Sequence, residues 1–149
     1  NIHITDSELI DIGPNVFDDN LNYGGHNIGG IFVGKSRNCH ISGVGLSTPH
    51  GGDDVRGATI EAVDCTGLNI TGCNIIDPEV RGIWLEDVRD SLVGHCVILH
   101  GERRFRAAVV EAGASDRNLI VGNRVDGGIE GAIVTVGAAT RAEGNLTTA

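Results

Sequence analysis

Short aliphatic runs recur along the chain, each broken by Gly, Asn, Asp or Ser. Runs of this kind read as short strands separated by turns. No stretch holds apolar residues at helical spacing over three turns, so helices are expected to be scarce. One pattern returns as an aliphatic residue, any residue, Gly or Asp, two residues, then an aliphatic. It reads Ile4-Thr-Asp6-Ser-Glu-Leu9, then Ile41-Ser-Gly43-Val-Gly-Leu46, then Ile70-Thr-Gly72-Cys-Asn-Ile75. Further copies are Leu92-Val-Gly94-His-Cys-Val97, Ile120-Val-Gly122-Asn-Arg-Val125 and a worn Ala142-Glu-Gly144-Asn-Leu-Thr147.

A second pattern alternates with the first: a small residue, then a short aliphatic strand. Its copies begin at Gly30, Gly57, Gly82, Ala107 and Gly131, close to a single shared period. A strand this short cannot bury its inward side alone. Stacked coils bury a continuous aliphatic core and pair each backbone with the coil above and below. The expected fold is all-β, a parallel β-solenoid of five to six coils of roughly 25 residues. A β-sandwich would instead need frequent hairpin turns of the Asn-Gly or Asp-Gly kind, which are few here.

The repeated Ile-x-Gly-x-x-Ile units, with Asn38, Asn74, Asn118 and Asn123 near the Gly positions, resemble the coils of right-handed parallel β-helix proteins. These form the pectin-lyase-like superfamily, which contains polysaccharide lyases, hydrolases, uronate epimerases and phage tailspikes. The resemblance covers nearly the whole chain and implies a right-handed helix. On the same alignment, residues 13–29 read as an inserted loop carrying Pro14, Asp18, Asp19, Asn20, Tyr23 and His26. The gap from Ile4 to Ile41 is longer than any between later copies.

Strand alternation then assigns faces. With Ala58/Ile60, Ile83/Leu85, Ala108/Val110 and Ala132/Val134 inward, Phe32, Thr59, Trp84, Val109 and Ile133 point outward. Glu61, Glu86 and Glu111 are evenly spaced and form an expected outward ladder, with Arg56, Arg81 and Arg106 repeating at the same period just before them. This face would carry a basic edge, an apolar strip at Trp84 and an acidic edge. Stacked carboxylates repel, which favours one of them as a general acid. Glu61, Glu86 and Glu111 are therefore the expected catalytic residues. Trp84, Arg56, Arg81 and Arg106 are expected to bind substrate.

Asp53 and Asp54, in His50-Gly-Gly-Asp53-Asp54, loosely resemble the paired acids of pectin-hydrolysing β-helices and join the substrate-binding set. The companion Asn-Thr-Asp and Arg-Ile-Lys stretches of that family are missing. A turn of paired acids is also a calcium-binding pattern; no other cofactor is expected. Asp77-Pro-Glu79 would extend the acidic cluster, and His95, His100, Glu102, Arg103 and Arg104 would form a second polar corner. Asn69-Ile-Thr71 and Asn145-Leu-Thr147 match glycosylation sequons but read as turns.

Composition refines this picture at four points. Gly is 23 of 149 residues, about twice its usual share of roughly 7%, which suits repeated corners. The formal charge of -9 argues against nucleic acid, and no long apolar run suggests a membrane partner. Cys39, Cys65, Cys73 and Cys96 lack CxxC spacing and read as small buried hydrophobes, not zinc ligands. Met is absent and both ends fall inside coils, so the single domain 1–149 is expected to belong to a longer β-helix.

Two functions fit. The first is a carbohydrate-active protein, extracellular or on a virion, cleaving a polysaccharide or oligosaccharide by hydrolysis or elimination. The second is a structural or adhesive β-helix, such as a tailspike or oligomerisation module. There Phe32, Trp84, Val109 and Ile133 would be covered by a homotrimer partner or by flanking coils.

Overall fold

A computed structural model describes residues 2–18, 30–47, 57–100 and 105–148. These residues hold three parallel sheets of six strands each, and every third strand in the chain returns to the same sheet. No helix occurs among the described residues. Each coil therefore contributes one strand to each sheet, and the five-to-six-coil solenoid is what forms.

The first sheet runs through Ile2–Thr5, Ile31–Gly34, Ile60–Val63, Arg81–Glu86, Ala107–Ala112 and Ile133–Val134. Ile2, Ile31, Ile60, Ile83, Val109 and Ile133 share one position in successive coils. The coils are unequal: the first two are the longest, and the one from Ile60 to Ile83 is the shortest. The second sheet stacks Ile12, Ile41, Ile70, Val93, Ile120 and Ala142 in the same way, and the third stacks Leu46, Ile75, Ile98 and Val125. These columns converge on one aliphatic core, in which Ile41, Ile60, Ile70, Ile83, Ile98 and Ile120 are fully buried. β-branched side chains suit such columns because their restricted χ1 packs well on a pleated surface.

Left-handed residues make the corners. Between the second and third sheets the corner falls on Gly43, Gly72, His95, Gly122 and Gly144, with φ between 54° and 65°. Glycine adopts that conformation without steric cost, and His95 shows that the fold tolerates a side chain there. Behind the corners sit small polar side chains. Ser7, Ser36 and Ser91 each donate a hydroxyl to the carbonyl two residues earlier, at 2.8, 2.7 and 2.8 Å. Cys39, Cys65, Cys73 and Cys96 donate thiols with the same two-residue geometry, at 3.4, 3.4, 3.6 and 3.4 Å. All four are buried and free, so each serves as a larger, more apolar serine.

The structure corrects several alignments. Ile4 pairs with Val33 in the first sheet, so the true counterpart of Ile41 is Ile12. Pro14 then takes the corner place of Gly43, and Val16–Asp18 pairs with Gly45–Ser47 as regular coil. The inserted loop thus excludes Gly13 to Asp18; Asp19, Asn20, Tyr23 and His26 lie outside the described residues. In the fourth copy Val93, not Leu92, matches Ile70, a shift of one residue. Asn69–Thr71 is a strand, not a turn.

Candidate functional site

The outer face of the first sheet gathers most of the chemistry. One outward column reads His3, Phe32, Glu61, Trp84, Val110 and Val134. The next outward column reads Thr5, Gly34, Val63, Glu86 and Ala112. Phe32 and Trp84 are outward as expected, but the three glutamates do not stack. Glu61 pairs with Trp84, and Glu86 pairs with Val63 and Ala112.

Glu111 leaves the face altogether. It pairs with Leu85, points inward and is 1% exposed. Its strand reverses the expected parity: Val109 is fully buried, Ile133 lines up behind it, and Val110 and Val134 turn outward. Unequal coils explain both errors. The coil that starts at Glu61 closes at Trp84, so Glu86 lands two positions further along on the same face. The coil that starts at Glu86 closes at Ala112, so Glu111 lands one position short and flips inside.

Glu111 is instead a core anchor. One carboxylate oxygen accepts from Asn118 Nδ2 at 2.7 Å and Thr140 Oγ1 at 2.9 Å. The other accepts from the backbone N–H groups of Val136 and Gly137, at 3.2 and 3.3 Å. Four donors around one buried carboxylate fasten the following corner and leave no acceptor for a substrate.

Glu61 and Glu86 remain on the face as a diagonal pair. One strand spacing and two residues of rise separate their backbone positions by about 8 Å. Trp84 lies between them and donates its indole N–H to Glu86 Oε2 at 3.3 Å. The guanidinium carbon of Arg81 stands 4.9 Å from the centre of a Trp84 ring. Arg81 is 4% exposed and binds Glu130 through Nη2 at 3.1 and 3.2 Å and through Nε at 3.3 Å.

Arg106 meets the same carboxylate, with Nε 2.6 Å from Glu130 Oε1. The two arginines are one residue out of register, since Arg81 pairs with Ala107, yet Glu130 gathers both. Burial pushes the Glu130 carboxyl up, but the hydrogen bond from Arg106 and the charges of Arg81 and Arg106 outweigh it and hold it below its usual range. The basic edge is thus partly neutralised within the molecule. Sequence reasoning missed Glu130, although the spacing from Arg56 to Arg81 to Arg106 leads close to residue 130 next.

At the opposite edge stand Asp6, Lys35, Asp64 and Asp87, the left-handed residues that follow each strand. Asp6, Lys35 and Asp64 line open hollows with Phe32 and Val63. The acidic edge therefore exists, built from aspartates as well as Glu86. Asp77 and Glu79 follow the third-sheet strand Asn74–Ile76 and make contacts of their own. His100 packs on Phe105 with ring centres 5.9 Å apart, and its backbone N–H donates to Asp126 Oδ2 at 3.0 Å. Arg56, Asp53, Asp54, Glu102, Arg103 and Arg104 lie outside the described residues. Among those described, no three metal-ligating side chains gather.

The model of the right-handed β-helix region family matches residues 1–147. The chain belongs to that family. No curated protein and no solved structure matches it. The handedness of the β-helix and its coil repeat thus rest on the family and the sheet topology together. Within this β-helix, the outer face of the first sheet is where aromatic rings, carboxylates and arginines converge among the described residues.

Proposed function

We propose that this β-helix binds a polysaccharide along the outer face of its first sheet and cleaves it by hydrolysis. The observation that carries this reading is Trp84 seated between Glu61 and Glu86, with Arg81 packed against its ring. An indole on a flat sheet offers a platform for the apolar C–H face of a sugar. Its support by a buried guanidinium keeps the ring in place.

The diagonal placement, with backbone positions about 8 Å apart, sets Glu61 and Glu86 in neighbouring columns of one face, the arrangement that a hydrolysis with a water between two carboxylates would use. The stacked ladder of glutamates expected from sequence does not occur. In this reading Glu86, oriented by the Trp84 N–H, accepts a proton from the attacking water. Glu61, beside the ring, delivers one to the departing oxygen.

The test is product analysis by mass spectrometry after incubation with a panel of neutral and acidic polysaccharides. Glu86→Gln and Glu61→Gln should each abolish turnover while the melting temperature holds. Full turnover in either variant sinks its assignment. Unsaturated products would replace hydrolysis with elimination.

A second reading, assembly as a homotrimer, draws on a different surface. Val109 and Ile133 turn inward, which removes two of the four apolar residues that argued for covering the first sheet. Partly exposed Leu92, Leu119 and Val121 on the second sheet offer an apolar surface to a second copy. Sedimentation at micromolar concentration tests it, and a clean monomer counts against it.

A further inference from the structure

Two connected hollows open at the acidic edge of the first sheet. The smaller, about 190 Å³, has Phe32, Gly34 and Val63 as its floor and Asp6, Lys35 and Asp64 as its rim. The larger, about 490 Å³, shares that rim and continues to Glu8 and Arg37. The rim residues occupy the same corner position in successive coils, with φ of 51°, 48° and 54°.

The floor is built around a held ring. A Cβ on Gly34 would stand 2.8 Å from the Phe32 ring, so the ring lies over that glycine and needs its missing side chain. His3, in the coil before, braces the other side with ring centres 4.5 Å apart. Phe32 and Trp84 share one outward column with Glu61 between them. Two strand spacings place these aromatic positions about 10 Å apart along the solenoid axis. A bound sugar chain resting on both rings would carry a glycosidic bond past Glu61.

The rim also has a sign. Asp6 and Asp64 outnumber Lys35 by one charge, and Glu8 is cancelled by Arg37 at 2.7 Å. A polyuronate would bring its own carboxylates against this edge. A neutral sugar brings hydroxyls, which donate to Asp6 and Asp64 and accept from Lys35.

We infer that the Phe32 hollow is a second sugar subsite, across Glu61 from Trp84, and that it selects uncharged sugar units over uronates. This rests on the reading of the face as a polysaccharide groove.

The test is calorimetric titration of the whole chain with glucose, N-acetylglucosamine and galacturonate oligomers, from dimer to hexamer, with Trp84 emission followed in parallel. A neutral series should bind more tightly once its oligomers are long enough to reach from Trp84 to Phe32. Phe32→Ala should erase that gain, roughly tenfold in Kd for a stacked ring, and leave the shortest oligomers unchanged. Gly34→Val, which displaces the ring without removing it, should do the same. Asp64→Asn should raise galacturonate affinity severalfold.

Tighter binding of galacturonates than of every neutral series overturns the selectivity. A length gain that survives both Phe32→Ala and Gly34→Val overturns the subsite, while the groove at Trp84 stands. Trp84 emission that ignores every oligomer overturns the groove, and the subsite with it.

Discussion

Replacing Glu111 by Gln separates a structural carboxylate from a catalytic one. The change removes one oxygen and introduces an NH₂ of nearly equal size. In the native site both oxygens accept, two donors on each side. Turned toward Val136 and Gly137, the NH₂ of the new amide faces two N–H donors; turned the other way, it faces the Asn118 NH₂ and the Thr140 hydroxyl, which can rotate to accept. Asn118 cannot adjust, because that side chain is fixed: its Oδ1 accepts from Ser91 N at 3.0 Å and its Nδ2 also donates to Val88 O at 2.9 Å.

In the better orientation the Asn118 bond is lost and the remaining bonds lose their charge assistance; a charge-assisted bond is worth about 1.5–3 kcal/mol. The backbone donors at Val136 and Gly137 sit near solvent and recover part of this, which leaves a loss of about 3 kcal/mol. For a chain of this size that corresponds to a fall in Tm of about 6–12 °C. Thermal melting by circular dichroism measures it. Wild-type-like melting would refute the anchoring role. If it came with lost polysaccharide turnover, Glu111 would return to the catalytic set.

Three other outcomes follow from the same geometry. Glu130→Ala removes the carboxylate that joins buried Arg81 to Arg106 and should cost about 2–3 kcal/mol, since charge-assisted hydrogen bonds to both guanidinium groups are lost. The emission of Trp84, the single tryptophan, should shift in the same variant, and an unchanged spectrum would disconnect Glu130 from the ring. Melting against pH should fall on the acid side. The carboxyls of Asp90, beside Arg117, of Asp116, bonded to Ala139 N–H, and of Glu130 are held below their unfolded values, so they stabilise above the usual carboxylate range. That contribution is lost as pH drops through their folded values, so a Tm that rises on acidification would contradict it. All four thiols should resist a water-soluble disulfide reagent until unfolding, because they are buried and each donates to a backbone carbonyl; one fast native thiol would contradict this.

The period of the chain was legible because the aliphatic columns and corner glycines repeat along its length. Register was not. The coil from Glu61 to Trp84 is shorter than the even spacing of Glu61, Glu86 and Glu111, and the coil from Glu86 to Ala112 is longer. A deviation of two positions kept Glu86 on the outer face in the neighbouring column. A deviation of one turned Glu111 into the core, since side chains alternate with period two. Only the identity of the rung partners distinguishes these cases, and aliphatic residues such as Val109 and Val110 fit either face in sequence. Trp84 and Phe32 could be placed because each follows an Ile that is unmistakably core. Glu130 could not, because its role depends on a turn reaching far back along the chain to Arg81. Asp6, Lys35 and Asp64 read as ordinary corner residues one at a time; stacking brings them to one hollow.

The fluorescence of Trp84 titrated with a panel of polysaccharides tests the first-sheet groove most directly. A saturable change in emission is expected with at least one of them, lost in the Arg81→Ala and Glu130→Ala variants or markedly weakened there. An emission spectrum that none of the panel alters would contradict a saccharide-binding face on the first sheet.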